Sequence, residues 1–165
     1  MLENFENSGI NKEKCFFTNA WPFLHKKDPN KKPNKKKDSS SGPVDKWLKN
    51  EPLMESCLTF FNDTLTIFQP KLIVALGKGP AAFLGHFCSK KLDSDKLDNW
   101  KGYSISSLDS LPLETVRFLG KDTVCVAVTH PSMPNAHWRK SPYNDRDGEV
   151  KLLKEARVKA RIKTV

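Results

Sequence analysis

Val124-Cys125-Val126-Ala127-Val128-Thr129-His130-Pro131-Ser132 is the stretch that decides the fold. An apolar run rich in β-branched residues stops abruptly at polar residues. A buried strand reads this way when it delivers side chains to a cleft at its carboxyl end. His130 sits at that end, where open α/β sheets place their ligand sites. Pro131 has no backbone donor and cannot continue a central strand, so the chain must turn there. An apolar, aromatic and basic mixture follows, with Met133, Pro134, Asn135, His137, Trp138 and Arg139.

Upstream, Leu72-Ile73-Val74-Ala75-Leu76 reads as a second central strand, apolar on both faces. Gly77-Lys78-Gly79-Pro80 then turns into a helix running from Ala81 to about Ser89. Before it, Val44 to Gln69 reads mostly as helix. Leu53, Cys57, Phe61, Leu65 and Phe68 recur every three or four residues, widened by Met54 and Leu58. Asn50 fits an N-cap, Pro52 a first turn, and Pro70 a stop. Cys15-Phe16-Phe17-Thr18 reads as a short aromatic strand ending at Asn19. Leu2 to Gly9 carries a short helical pattern with Gly9 as its stop. Tyr103 to Ser107 reads as a further short strand, and Leu111 to Leu119 as a connection. A basic helix is expected at about 145–163, with Val150, Leu153 and Val158 as its apolar side.

Helices between fully apolar strands imply an α/β fold with a mostly parallel sheet covered on both faces. At 165 residues the chain is read as a single domain with one core. Residues 26–43 interrupt it with seven Lys, three Pro, three Ser and no aliphatic residue. Such a segment cannot bury enough apolar surface to offset its ordering entropy, so it reads as a flexible loop. The three clearest strands end at Thr18-Asn19, Gly77-Lys78 and Thr129-His130. In a parallel sheet these ends share one edge, so Asn19 and His130 are expected to face a common pocket.

Charge points to the partner. Lys and Arg number 28 against 19 Asp and Glu, a net charge of +9. This balance favours a polyanion such as nucleic acid, unless it merely reflects a solvated surface with a lysine-rich tail. The four cysteines are widely spread and match no zinc spacing, and no signal peptide opens the chain. The chain therefore reads as cytoplasmic (intracellular), with reduced thiols and no metal. No apolar run is long enough to span a membrane.

The residues leave several chemistries open. Gly77-Lys78-Gly79 lacks the ending of a phosphate-binding loop, although the helix start behind it attracts anions. Asn19 offers a donor and an acceptor in one plane, as a base edge requires, or else it caps a turn. His130 suits a general acid or base, or a donor to a developing anion, or a structural hydrogen-bonder.

Taken together, Cys15-Phe16-Phe17-Thr18-Asn19-Ala20-Trp21-Pro22, the long helix into Pro70-Lys71-Leu72-Ile73-Val74-Ala75-Leu76-Gly77, and Thr129-His130-Pro131-Ser132 resemble the uracil-DNA glycosylase superfamily. Order and spacing match its second strand, its helix–strand unit and its terminal HPS motif, from about Gly9 to Arg139. The resemblance implies a three-layer α/β/α fold acting on DNA as a monomer. It implies that Asn19 reads the flipped base and that catalytic His130 stabilises the leaving uracil anion. Pro131 and Ser132 would grip the phosphate backbone, and Met133 would be the wedge that enters the duplex. Arg139 and Lys78 are the basic DNA contacts in this reading. Cys57 falls near a cluster cysteine of the iron-sulfur branch, but its three companions are absent, so no cofactor is expected. Neither Gly-Gln-Asp-Pro-Tyr nor Gly-Glu-x-Pro-Gly, the forms of the family's first motif, occurs near Met1. The chain is then a fragment, or a member lacking the first strand and the water-positioning half of the site. A non-catalytic nucleic-acid-binding module is the alternative. A nucleotide-binding enzyme using Gly77-Lys78 is a third reading.

Overall fold

The computed structural model describes residues 2–19, 51–102, 113–129 and 148–163. Four α-helices and three strands are formed there: α1 (Leu2–Asn7), α2 (Glu51–Phe68), β1 (Leu72–Leu76), α3 (Lys78–Lys91), β2 (Glu114–Phe118), β3 (Lys121–Val128) and α4 (Gly148–Lys159). Short 3-10 turns occupy Lys12–Lys14 and Asp98–Trp100. The strand expected at Tyr103–Ser107, the Asn50 cap and the lysine-rich loop lie outside the described residues.

The sheet runs in the order β1-β3-β2. β1 pairs with β3 in parallel, from Leu72 opposite Val124 to Leu76 opposite Val128. β2 pairs with β3 antiparallel. The described sheet is thus mixed rather than mostly parallel, because the stretch read as a connection, Leu111 to Leu119, holds β2. Thr115, Val116 and Phe118 are good strand formers, and Val116 and Phe118 turn inward while Arg117 turns out. The hairpin closes through Leu119 and Gly120 at φ 47° and 77°, both positive, as a tight type I′ connection requires. Leu-Gly lacks the usual Asn-Gly signature, which hides the hairpin from sequence.

β3 is buried from Thr123 to Val128, and its side chains alternate between two cores. Cys125 and Ala127 pack with Ala75 against α2 and α3, through Met54, Cys57, Leu58, Phe83, Leu84 and Phe87. Val124, Val126 and Val128 pack on the other side with Phe5 and Ile10 and with Leu152, Leu153 and Ala156 of α4. Helices therefore cover both faces, which is why β1 and β3 read as unbroken apolar runs.

The helices start and stop where their residues direct. Pro52 lies in the first turn of α2, which ends before Pro70. Met54, Cys57, Leu58 and Leu65 of its apolar stripe are buried, whereas Phe68 remains 53 % exposed at the helix end. α1 stops at Gly9, φ 75°. The Ile10 N–H reaches the Phe5 carbonyl and the Gly9 N–H reaches that of Glu6, each at 2.9 Å, a Schellman closure. α3 begins at Lys78 rather than Ala81, because Gly77 alone makes the turn, at φ 87°. In α4 the buried side is Leu152, Leu153 and Ala156; Val158, expected to face the core, is 66 % exposed.

Cys15-Phe16-Phe17-Thr18 forms no ladder. Its aromatic rings find ring partners instead. Phe16 stacks on Phe68 at 4.4 Å between centroids, and Phe17 lies 6.2 Å from Phe5. Residues 16–19 are exposed, which a central strand would not be.

Candidate functional site at the carboxyl edge of the sheet

The parallel pairing of β1 and β3 builds one edge of the candidate site. Leu76 stands opposite Val128, and beyond them the Gly77 N–H donates to the Val128 carbonyl at 2.7 Å. Gly77 and Thr129 therefore leave the sheet side by side, as the sequence implies. Thr129 leads directly into His130-Pro131-Ser132. α3 starts at this edge with half-buried Lys78 in its first turn. The backbone donors and dipole of a helix start favour negative charge.

The strand read at Cys15 to Thr18 is not formed, so Asn19 stands outside the described sheet. Asn19 is exposed, and its backbone carbonyl accepts from the Thr18 hydroxyl at 3.4 Å. His130, Pro131, Ser132, Met133 and Arg139 lie outside the described residues. His86, the histidine that is described, lies within α3 and is half-buried. Burial holds its imidazole below the usual histidine range, helped by Lys101 and Lys90 and opposed by Asp98.

Glu149 is the residue that sequence reading missed. It stands in the first turn of α4 and is 6 % exposed. Its Oε2 accepts from Asn4 Nδ2 of α1 at 3.2 Å. Oε1 is buried without a hydrogen-bond partner among the described residues. Burial pushes the carboxyl above the usual carboxylate range, while the Thr129 and Asn4 donors pull it back. The only hint in the sequence is an acid between Gly148 and Val150 at a helix start.

The thiols are not placed for chemistry. Cys57, Cys88 and Cys125 are buried, Cys15 is half-buried, and all four are free. Burial pushes the Cys88 thiol up to about 12, opposed by Lys101, and raises Cys125 further, so neither is a thiolate at neutral pH. Among the described residues, no three His, Cys, Asp or Glu side chains gather as metal ligands. Among them, too, no helix is long and apolar enough to cross a membrane.

The described residues define a mixed α/β protein, with helices on both faces of a three-stranded sheet. The family model described as "Uracil DNA glycosylase superfamily" matches residues 1–156, and the chain belongs to that superfamily. Neither the comparison with curated proteins nor that with solved structures gave a match.

Proposed function

We propose that this protein is a uracil-DNA glycosylase-like enzyme of base excision repair, hydrolysing the N-glycosidic bond of uracil or a related damaged base in DNA. The observation that carries the reading is the family match over residues 1–156, which spans the edge formed by Gly77 and Thr129. A base in a duplex must be extruded before its glycosidic bond can be reached. As the bond breaks, a cation-like sugar and an anionic base form. A donor held in a dry pocket stabilises that anion better than water does.

In this reading His130 is the donor to the departing base, and Asn19 reads the base edge. Pro131 and Ser132 grip the backbone, Met133 enters the duplex, and Arg139 and Lys78 contact phosphate. The protein works as an intracellular monomer and a single domain, without metal or cofactor. The net charge of +9 supports salt-dependent affinity for the backbone.

The second reading, a nucleic-acid-binding module without catalysis, draws on one observation, the net charge of +9, which serves backbone binding with or without chemistry. Uracil release from single-stranded and duplex oligonucleotides separates the two, with His130→Ala and Asn19→Asp as controls. Release that both substitutions abolish supports the enzyme. Salt-sensitive binding without release supports the module. Neither release nor binding at low salt overturns both.

A further inference from the structure

α4 has two sides of different character. Leu152, Leu153 and Ala156, with Ala160 just beyond the helix, are buried against the valine side of β3. The outward side and the turn after it carry Lys154, Val158, Lys159, Arg161 and Lys163, all exposed. Glu155 is the one acid between Lys154 and Lys163. α2, across the sheet, is the reverse. It holds Glu51, Glu55 and Asp63 with neither Lys nor Arg, and Lys91 of α3 pairs with Glu55. The positive face of α4 is therefore not the average surface of the molecule.

The helix dipole accounts for part of this charge. Cations are favoured in a last turn, which covers Arg157 and Lys159, and the Leu113 carbonyl also holds Lys159 at 2.8 Å. The dipole does not cover Lys154, which lies before the last turn, or Arg161, which lies beyond the helix. Arg161 is strained where it stands. The Ile162 N–H donates to the Arg157 carbonyl at 3.1 Å and the Arg161 N–H to that of Val158 at 2.9 Å, the paired bonds of a Schellman closure. Arg161 thus fills the left-handed position of that closure, at φ 53°, where a Cβ is unfavourable and glycine is usual. α1 closes the same way with Gly9 at φ 75°. Among the described residues, Lys154, Arg161 and Lys163 make no ion pair. A strained cation without an anion inside the protein points to an anion outside it.

We propose that Lys154, Arg161 and Lys163 form a contact surface for the phosphate backbone of a nucleic acid, across the sheet from Lys78 on α3. The choice of nucleic acid rests on the reading of this protein as one that acts on DNA. Lys154 and Arg161 are seven residues apart, about 10 Å along the helix direction, the rise of roughly three phosphates on one strand of a duplex. Such contacts release counterions without reading sequence, so the surface adds affinity for a long duplex.

The test uses the full chain and a duplex of about 30 base pairs without uracil, titrated at several salt concentrations. Arg161→Gly removes the charge and gives the closure its usual residue. It is expected to weaken binding about 3-fold at low salt and to reduce the slope of log affinity against log salt by about 1, with a melting temperature equal to or above the wild type's. Lys154→Ala, Arg161→Gly and Lys163→Ala combined should reduce the slope by about 3. Lys90→Ala removes the same charge from an exposed position on α3 and should leave the slope unchanged. Uracil release from a short single-stranded oligonucleotide should stay within about twofold of the wild type in the triple variant.

An unchanged slope in the triple variant overturns the proposal. So does an equal loss with Lys90→Ala, which marks net charge rather than a surface. A lower melting temperature in Arg161→Gly overturns it too, because the arginine then serves the fold. Duplex binding with the expected slopes but no uracil release removes the glycosylase reading and leaves the surface standing. Uracil release with an unmoved slope does the reverse, and a wild type that binds no duplex at low salt overturns both.

Discussion

The Gly77 N–H lies 2.7 Å from the Val128 carbonyl and continues the parallel ladder one step past the last residue of β1. Gly77 makes this bond at φ 87° and ψ 179°, a backbone state open almost only to glycine. Gly77→Ala is expected to lower unfolding stability by about 1–3 kcal/mol in a denaturant titration. The loss should come with faster amide exchange at residue 77.

Leu119 makes the opposite case. It is 58 % exposed and held at φ 47°, where an ordinary side chain is strained. Leu119→Asn keeps the turn with Gly120 and relieves the strain, so it is expected to raise stability by about 1 kcal/mol. A rise in melting temperature with unchanged strand content checks this.

Gly85 lies where α3 meets the chain between Leu97 and Lys101. A Cβ there would come within 2.8 Å of the Leu97 carbonyl and 3.2 Å of the Lys101 nitrogen. Both are backbone atoms and cannot swing aside. Gly85→Ala is expected to cost about 1–3 kcal/mol despite its better helix propensity, measured by equilibrium unfolding.

Glu149 predicts a pH dependence. Its carboxyl is raised in the folded protein, first by burial, so the native state holds the proton more tightly than the unfolded chain. The favourable contribution is present in full below the ordinary carboxylate range and is lost as pH rises through the raised value. Glu149→Gln should remove this fall. Subtracting its stability-against-pH curve from that of the wild type should expose a downward slope starting near the ordinary carboxylate range. An upward slope would contradict the assignment.

Lys78 tests the DNA side of the proposed function. If it contacts a phosphate, Lys78→Ala weakens binding about equally for all sequences. It also reduces the slope of log affinity against log salt by about 1. Binding titrations at several salt concentrations, on duplexes with and without uracil, give both numbers.

The central strands were legible because apolar β-branched runs bounded by Gly and Pro have few other readings. The stripe from Leu53 to Leu65 was legible for the same reason, at helical period. Cys15 to Thr18 misled because aromatic residues favour strands wherever they also pack on a sheet, and here Phe16 packs on the end of a helix instead. β2 was missed because its turn relies on a strained Leu119. Of the candidate site, the shared edge of Gly77 and Thr129 followed from parallel pairing alone. Glu149 did not, because the proximity of residues 4 and 149 is created only when α1 and α4 pack on the same face.

The alternation of β3 makes its length unforgiving. Valines face α1 and α4, while the smaller Cys125 and Ala127 face the bulky rings of α2 and α3. Removing one residue between Lys121 and Val128 would exchange the two sets, driving valines into the crowded side and leaving gaps on the other. The hairpin turn can absorb insertions at Leu119 and Gly120, but the strand itself behaves as a ratchet with a two-residue tooth. A change of length inside β3 keeps its regular alternation only when it comes in pairs.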